Sequence, residues 1–545
     1  MASPAADFDA SGIACEDGDP DLARVLKLSA STSASPEFVA ALSVRLSRPG
    51  TDCELRQKQA EALRDLWDHG GVFASMPTGE GKTLVTLLAA TLLGSERPVL
   101  ILPANCRDKT RTEFAEYLAD GWHVRLPTLL SYSELSRADR EHRLLELAPD
   151  LILLDEADEA RNVDGTGFGR RIRRALAKLE PRPRVGILSA TLITDQLLDY
   201  WELLRWALRD EAPVPQHKPA AERWASATDR TIRGELRRRE PGGLAKIPGG
   251  FHHHLRTRAG VVSGRGEVCP AEIEITTWVP PIDDGLRRLI TTCALLGKRP
   301  DGERVTEWEM PDLQCCLAQG FYQVWDPLPP RWWLDPRRAY LEYERAVLDE
   351  QIEGFDTPSQ IRDALDDRHR RPQPPAAAEA RALLAAWRAV KDKFEPNSVP
   401  VWVTPAIMDA VVAHATKPGQ IVWVKHRAPG IELQRRGLPY FGADTAPHQH
   451  TPGAPMCCSI PAHGRGKNLQ AWWRALVLHP PAKARKWEQL ISREHRPGQH
   501  APTIFVEVIA GVEYHGQVLE RVVNEAKADS DASGVPNKIV IAKWK

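Results

Sequence analysis

Met76-Pro77-Thr78-Gly79-Glu80-Gly81-Lys82-Thr83 is a stretch whose residue types and spacing serve phosphate chemistry. It stands between a short apolar run, GVFAS (71–75), and a helix-forming stretch, LVTLLAATLL. A phosphate-binding loop needs that strand–loop–helix context, because glycines let backbone N–H groups turn inward and a helix start adds a positive dipole end. Lys82 would reach the β- and γ-phosphates of ATP, with Thr78, Gly79 and Gly81 lining the cradle and the Thr83 hydroxyl ligating Mg²⁺. A second cluster, Asp155-Glu156-Ala157-Asp158, ends the apolar run DLILL. Its carboxylates therefore fall at the C-terminal tip of a buried strand, where open α/β sheets bind ligands. Asp155 would hold the Mg²⁺, and Glu156 would polarise an attacking water.

The elements that must position these groups read as parallel sheets. Continuous apolar runs at 71–75, 99–103, 128–132, 150–156 and 185–191 alternate with helical stretches. Such runs, apolar throughout, are expected of strands buried on both faces. The same texture returns at 419–427, 454–460, 474–480 and 503–509. The expected division is an acidic N-terminal tail and helix (1–50), a first α/β lobe (51–210), a basic and mainly helical insertion (211–400), and a second α/β lobe with a C-terminal extension (401–545). Helices are expected over about 36–48, 335–353 and 376–393, with RRPQPP (370–375) as a linker or turn.

With 545 residues, 42% of them hydrophobic and 27% charged, the chain is ordinary globular material rather than collagen-like, coiled-coil or wholly disordered. No run of 18 apolar residues is present, and the first ten residues are acidic where a secretory leader would be basic. Nine cysteines without a CxxC spacing indicate neither a zinc ribbon nor a disulfide framework. These features lead to an expected cytoplasmic location and no membrane partner.

The second half carries further motifs. Gln489-Leu490-Ile491-Ser492-Arg493-Glu494-His495-Arg496-Pro497-Gly498-Gln499 resembles the QxxGRxxRxGQ motif of the Swi/Snf-like branch of superfamily-two helicases and translocases. Gly466-Lys467-Asn468-Leu469-Gln470 resembles that branch's GxNLQ, DEADEARN (155–162) its DEAHxxxN, and Ser189-Ala190-Thr191 the superfamily's coupling motif. Leu55-Arg56-Gln57-Lys58-Gln59 resembles LRxxQ, whose glutamine reads the adenine. The resemblance covers about 51–210 and 401–510. It implies two RecA-like lobes, with Arg493 and Arg496 as fingers on the γ-phosphate across the interlobe cleft. Gln59 and Gln489 would contribute to the nucleotide site, and Ser189 and Thr191 would couple it to movement. The implied activity is ATP hydrolysis driving translocation on DNA, duplex in preference to single strand. A nucleotide-gated clamp on DNA or protein is the alternative. Protein partners are not indicated.

Several residues depart from the pattern. Ser492 stands where the finger motif has glycine, Lys467 where GLNLQ has leucine, DEAD where the branch has DEAH, and PTGEGKT where it has GLGKT. These point to a prokaryotic or phage member, and so to the cytoplasm of a bacterial or phage-infected cell. Phage proteins of this kind also resemble the chain at 320–333 and 423–445. The final motif of DEAD-box RNA helicases, HRxGRxGR, is not matched.

Charge is balanced overall, with 72 Lys+Arg against 73 Asp+Glu, so a polyanion must be met by a local patch. Residues 217–265 carry eleven Lys/Arg against four Asp/Glu, including Arg237-Arg238-Arg239. Trp224, Trp278, Trp308, Trp325, Trp332 and Trp333 are expected in the core, and so are Cys457-Cys458. The His252-His253-His254 run is expected at the surface or packed against backbone, since consecutive residues cannot comfortably face one ion.

Overall fold

The computed structural model describes residues 19–137, 140, 142–161, 163, 166–228, 250–264, 269–305, 309–349, 355, 358–367, 373–395, 397–443, 445–464 and 468–545. The protein is α/β, with two parallel sheets of six and seven strands assigned to two compact units.

The first unit holds β1 (Gly71–Ser75), β2 (Pro98–Leu102), β3 (Thr128–Ser131), β4 (Leu151–Asp155), β5 (Arg184–Ser189) and β6 (Val261–Ser263). They lie in the order β3-β2-β4-β5-β1-β6, every pair parallel. Alternate residues of each strand enter opposite layers. Phe73, Ile101, Ile152 and Leu154 join Ile172, Leu176, Tyr200 and Leu204 on one face. Val72, Leu100, Leu151 and Leu153 join Leu63, Leu66, Leu84 and Leu88 on the other. Each such fully buried aliphatic contributes roughly 1.5–3 kcal/mol. Two buried faces explain why the strands read as unbroken apolar runs.

The second unit holds β7 (Glu272–Trp278), a ribbon of β8 (Phe321–Trp325) and β9 (Ser398–Trp402), then β10 (Gln420–Val424), β11 (Tyr440–Phe441), β12 (Met456–Ser459), β13 (Arg474–Val477), β14 (Thr503–Ile509) and β15 (Lys543–Trp544). The seven-stranded order is β11-β12-β10-β13-β14-β7-β15, and the ribbon is antiparallel. Ile421 and Trp423 face one core with Trp487, Leu490, Val518 and Val522, while Val422 and Val424 face the other with Ile407, Met408, Val411 and Leu433.

The stretch 211–400, expected to be a mainly helical insertion, also supplies strands. β6 closes an edge of the first sheet and β7 lies inside the second. β7 (EIEITTW) alternates polar and apolar residues, with Ile273 and Ile275 buried, so it lacks the continuous apolar texture of its neighbours. Helices do fill much of the rest. Tyr340, Val347, Phe355, Ile361, Leu365 and Leu384 form their own small core in the first unit. The observed helices Pro36–Arg45, Arg331–Asp349 and Ala377–Lys391 fall close to the expected spans. The sequence reading missed the short helix Pro20–Leu26, which Asp19 caps by accepting from the Asp21 and Leu22 N–H groups.

The tryptophans expected in the core divide between core and surface. Trp224 and Trp333 are buried, but Trp325 and Trp332 are exposed (43% and 49%), because they lie on a two-stranded ribbon and at a helix start. Trp308 lies outside the described residues. Cys457 and Cys458 are buried in β12 as expected. His252 and His254 are buried and His253 is exposed, with His254 hydrogen-bonded to the Val25 carbonyl. No helix among the described residues is long and apolar enough to cross a membrane.

Candidate nucleotide site

Three adjacent strands of the first sheet end at one level. Ser75 of β1 pairs with Ser189 of β5, and Leu188 of β5 with Asp155 of β4. Because all three are parallel, the segments leaving them share the C-terminal edge of the sheet, which is the ligand edge of open α/β folds. The Met76 N–H donates to the Ser189 carbonyl (3.0 Å) and so anchors the start of the loop 76–83.

Within the loop, Gly79 and Gly81 take left-handed backbone angles, φ +96° and +70°. Gly81 is the N-cap of the helix Lys82–Leu93 and has no side chain to occupy the helix N–H groups. Lys82 folds back, its ammonium donating to the carbonyls of Met76 (3.1 Å) and Pro77 (3.4 Å). Thr78 and Thr83 are half-buried at the loop's two ends. The loop is braced from the helix Gln57–His69. The Gln59 amide donates to the Glu80 carbonyl (3.0 Å) and accepts from the Arg56 N–H (2.8 Å), while the Arg56 guanidinium donates to the Gly79 carbonyl (2.7 Å). Gln59 is buried with both ends of its amide engaged, so it supports the loop from behind. A Cβ on Gly81 would lie 2.3 Å from the Gln59 amide nitrogen. Gly81→Ala is therefore expected to cost about 1–2 kcal/mol in left-handed strain and to dislodge Gln59. Nucleotide affinity measured by calorimetry should fall at least tenfold, with the circular dichroism spectrum unchanged.

Asp155 sits at the tip of β4, where its carboxylate accepts from the Glu156 N–H (3.0 Å). Glu156 is a non-glycine residue in the left-handed region (φ +49°), an uncommon conformation for a residue with a side chain. Ser189 donates to Asp158 (2.9 Å) and reaches Glu156 (3.4 Å), so three carboxylates gather around one strand tip. Burial and the neighbouring Glu156 charge push the Asp155 carboxyl up to about 6, and the Lys82 and Lys109 ammonium groups oppose that rise. A raised carboxyl beside a lysine marks a site that is short of positive charge.

Below about 4 Asp155 is protonated folded or unfolded, whereas above about 6 it is ionised in both and the folded state carries the burial cost. Asp155→Asn is thus expected to stabilise the metal-free protein by about 1–3 kcal/mol at pH 7 and not at pH 4. Thermal melts at the two pH values check this, and equal shifts at both would remove the charge argument.

Tyr132 was not singled out from the sequence. Its hydroxyl donates to the Asp155 carbonyl (2.9 Å) and pins the strand tip; it is fully buried, which lifts its pKa well above the usual range. The sequence signal was present in its position at the end of the run TLLSY. Thr191 lies just past β5, its buried hydroxyl lacking a hydrogen-bond partner among the described residues.

The remaining expected site residues belong to the second unit. Gln489 is buried on the helix Ala484–Ile491. Arg493 is buried as well, with Nε donating to the Gln489 carbonyl (2.9 Å) and its own carbonyl accepting from Leu469 (3.1 Å). Arg496 is half-buried and donates to Asn468. Between them, Glu494 is buried against the Trp423 indole N–H (3.1 Å), and burial pushes it up to about 8. Ser492, where the resembled motif has glycine, is buried and bonded to the Glu488 carbonyl and the Lys538 ammonium (2.8 Å). Its hydroxyl therefore ties this motif to the C-terminal segment. Asn162, Gly466 and Lys467 lie outside the described residues, as do Arg237–Arg239 and seven in all of the eleven Lys/Arg of 217–265.

No protein-family model matches the chain, and no curated protein matches it.

Proposed function

We propose that the chain is an ATP-dependent DNA translocase of the superfamily-two type, Swi/Snf-like branch, built on two RecA-like lobes and acting on duplex DNA in preference to single strands. One observation carries the ATPase part: the loop bearing Lys82 leaves β1 and the Asp155-Glu156 pair stands at the tip of β4, on either side of β5 at the C-terminal edge of one parallel sheet. Thr83 and Asp155 are oxygen donors, the ligand chemistry that Mg²⁺ prefers, and the charge-poor Asp155 site suits a divalent cation. Bound Mg²⁺ would neutralise phosphate oxygens.

The chain's own residues supply the rest. Lys82 exchanges two backbone carbonyls for phosphate oxygens, a gain because the attraction between two full opposite charges is added to the hydrogen bond. Gly79 and Gly81 leave the backbone close to the phosphates. Glu156, held over the strand tips, orients water and accepts its proton. Ser189 shares a hydrogen-bond network with Asp158 and Glu156, so a change at the carboxylates is felt at the end of β5. Arg493 and Arg496 take the finger role by motif resemblance, and the preference for duplex DNA rests on that same resemblance. ATP turnover measured with duplex DNA, single-stranded DNA and RNA tests the proposal. Duplex DNA is expected to stimulate most; turnover indifferent to every nucleic acid would favour the clamp, and stronger stimulation by RNA would overturn the branch.

A further inference from the structure

The second sheet carries a cluster that the nucleotide reading does not use. His426 and His479 each stand two residues beyond the end of a strand, β10 and β13, which are direct parallel neighbours. The Leu478 N–H donates to the Trp423 carbonyl (3.0 Å), which locks the two strand ends together. The topology thus holds two imidazoles side by side, their ring centres 5.4 Å apart. A third group, Asp312, comes from the helix Met310–Ala318. Its Oδ1 lies 3.1 Å from His426 Nε2 and 3.5 Å from His479 Nε2. The three donor atoms lie within 4.8 Å of one another.

We infer that Asp312, His426 and His479 form a binding site for a zinc-like divalent cation, which the Lys425 ammonium occupies by competition. Bonds of about 2.0–2.1 Å at tetrahedral angles give ligand–ligand separations of about 3.3–3.4 Å, between the two nitrogen–oxygen distances of the cluster. Two imidazoles and one carboxylate favour zinc and its first-row neighbours over Mg²⁺, which prefers oxygen ligands alone. The Lys425 ammonium lies 2.5 Å from the same Asp312 oxygen, so a positive charge already sits at that oxygen. Lys425 is 45% exposed on a flexible stem and can leave without disturbing the core. Three protein ligands would leave the fourth position open. It would open onto a cavity of about 670 Å³ lined by Asp312, Lys425 and His479 together with Lys483 and Arg521. His479 is buried, and its other ring nitrogen has no hydrogen-bond partner among the described residues, so the imidazole is not committed to another contact.

The test is zinc titration of the full-length chain by calorimetry, in the wild type, Lys425→Met, and Lys425→Met combined with Asp312→Asn or His479→Ala. One equivalent of zinc should bind at the cluster, at least tenfold more tightly in Lys425→Met, because the competing cation is gone. Either added ligand substitution should cost at least tenfold, and excess Mg²⁺ should not displace the zinc. Asp312 and Lys425 are both partly exposed, so their variants keep the fold. Equal zinc affinity in the wild type and Lys425→Met, or affinity undiminished by Asp312→Asn, would overturn the site. Neither result depends on ATP turnover, so the translocase proposal stands or falls separately.

Discussion

Lys82→Ala is expected to reduce ATP turnover to background while leaving the thermal melting temperature within a few degrees of wild type. The ammonium's bonds are to two loop carbonyls and not to the core, so removing it forfeits charge rather than packing. An activated phosphate loses its main protein counter-charge, and a buried charge-assisted contact is typically worth about 1.5–3 kcal/mol for binding alone. The transition state, where charge spreads over the phosphoryl oxygens, loses more. Steady-state turnover together with nucleotide titration reads both terms. Wild-type turnover in a folded Lys82→Ala protein would remove the loop from the chemistry.

The second large effect is expected at Arg496. Arg496→Ala should lower turnover by about 10³–10⁵, the range typical of an arginine finger, with nucleotide affinity changed far less. Arg496 is the more informative of the two arginines. It is half-buried and bonded to the Asn468 side chain, whereas Arg493 is buried and tied to the backbone of the helix that precedes it. Arg493→Ala would leave the Glu494 carboxyl without the charge that opposes its raised pKa, mixing stability with catalysis. Single-turnover kinetics separate binding from chemistry. A drop in affinity with an unchanged chemical step would assign Arg496 to ground-state binding.

The sequence disclosed the first sheet well, because strands buried on both faces must be apolar at every position, as β2 (PVLIL) and β4 (LILLD) are. The loop and the carboxylate pair were legible for a related reason: each is a contiguous run of residues at or directly after the end of a strand. What it hid depends on distance along the chain or on mixed polarity. β6 is three residues long, and β7 alternates with glutamates and threonines, so neither stands out from a basic stretch. Asp312, His426 and His479 come from three remote segments and meet because β10 and β13 are neighbours. Gln59 was read as facing adenine, a role carried over from a motif. In the structure its amide nitrogen donates to the loop's Glu80 carbonyl and its amide oxygen accepts from the Arg56 N–H, and the first of these partners is one no linear pattern reveals.

The most direct test of the central claim is steady-state ATP hydrolysis by the wild-type chain with and without saturating duplex DNA, using Lys82→Ala as the blank. Mg²⁺-dependent hydrolysis is expected to rise at least tenfold with duplex DNA and to vanish in Lys82→Ala. Hydrolysis that persists in Lys82→Ala, or that no nucleic acid alters, would contradict that claim.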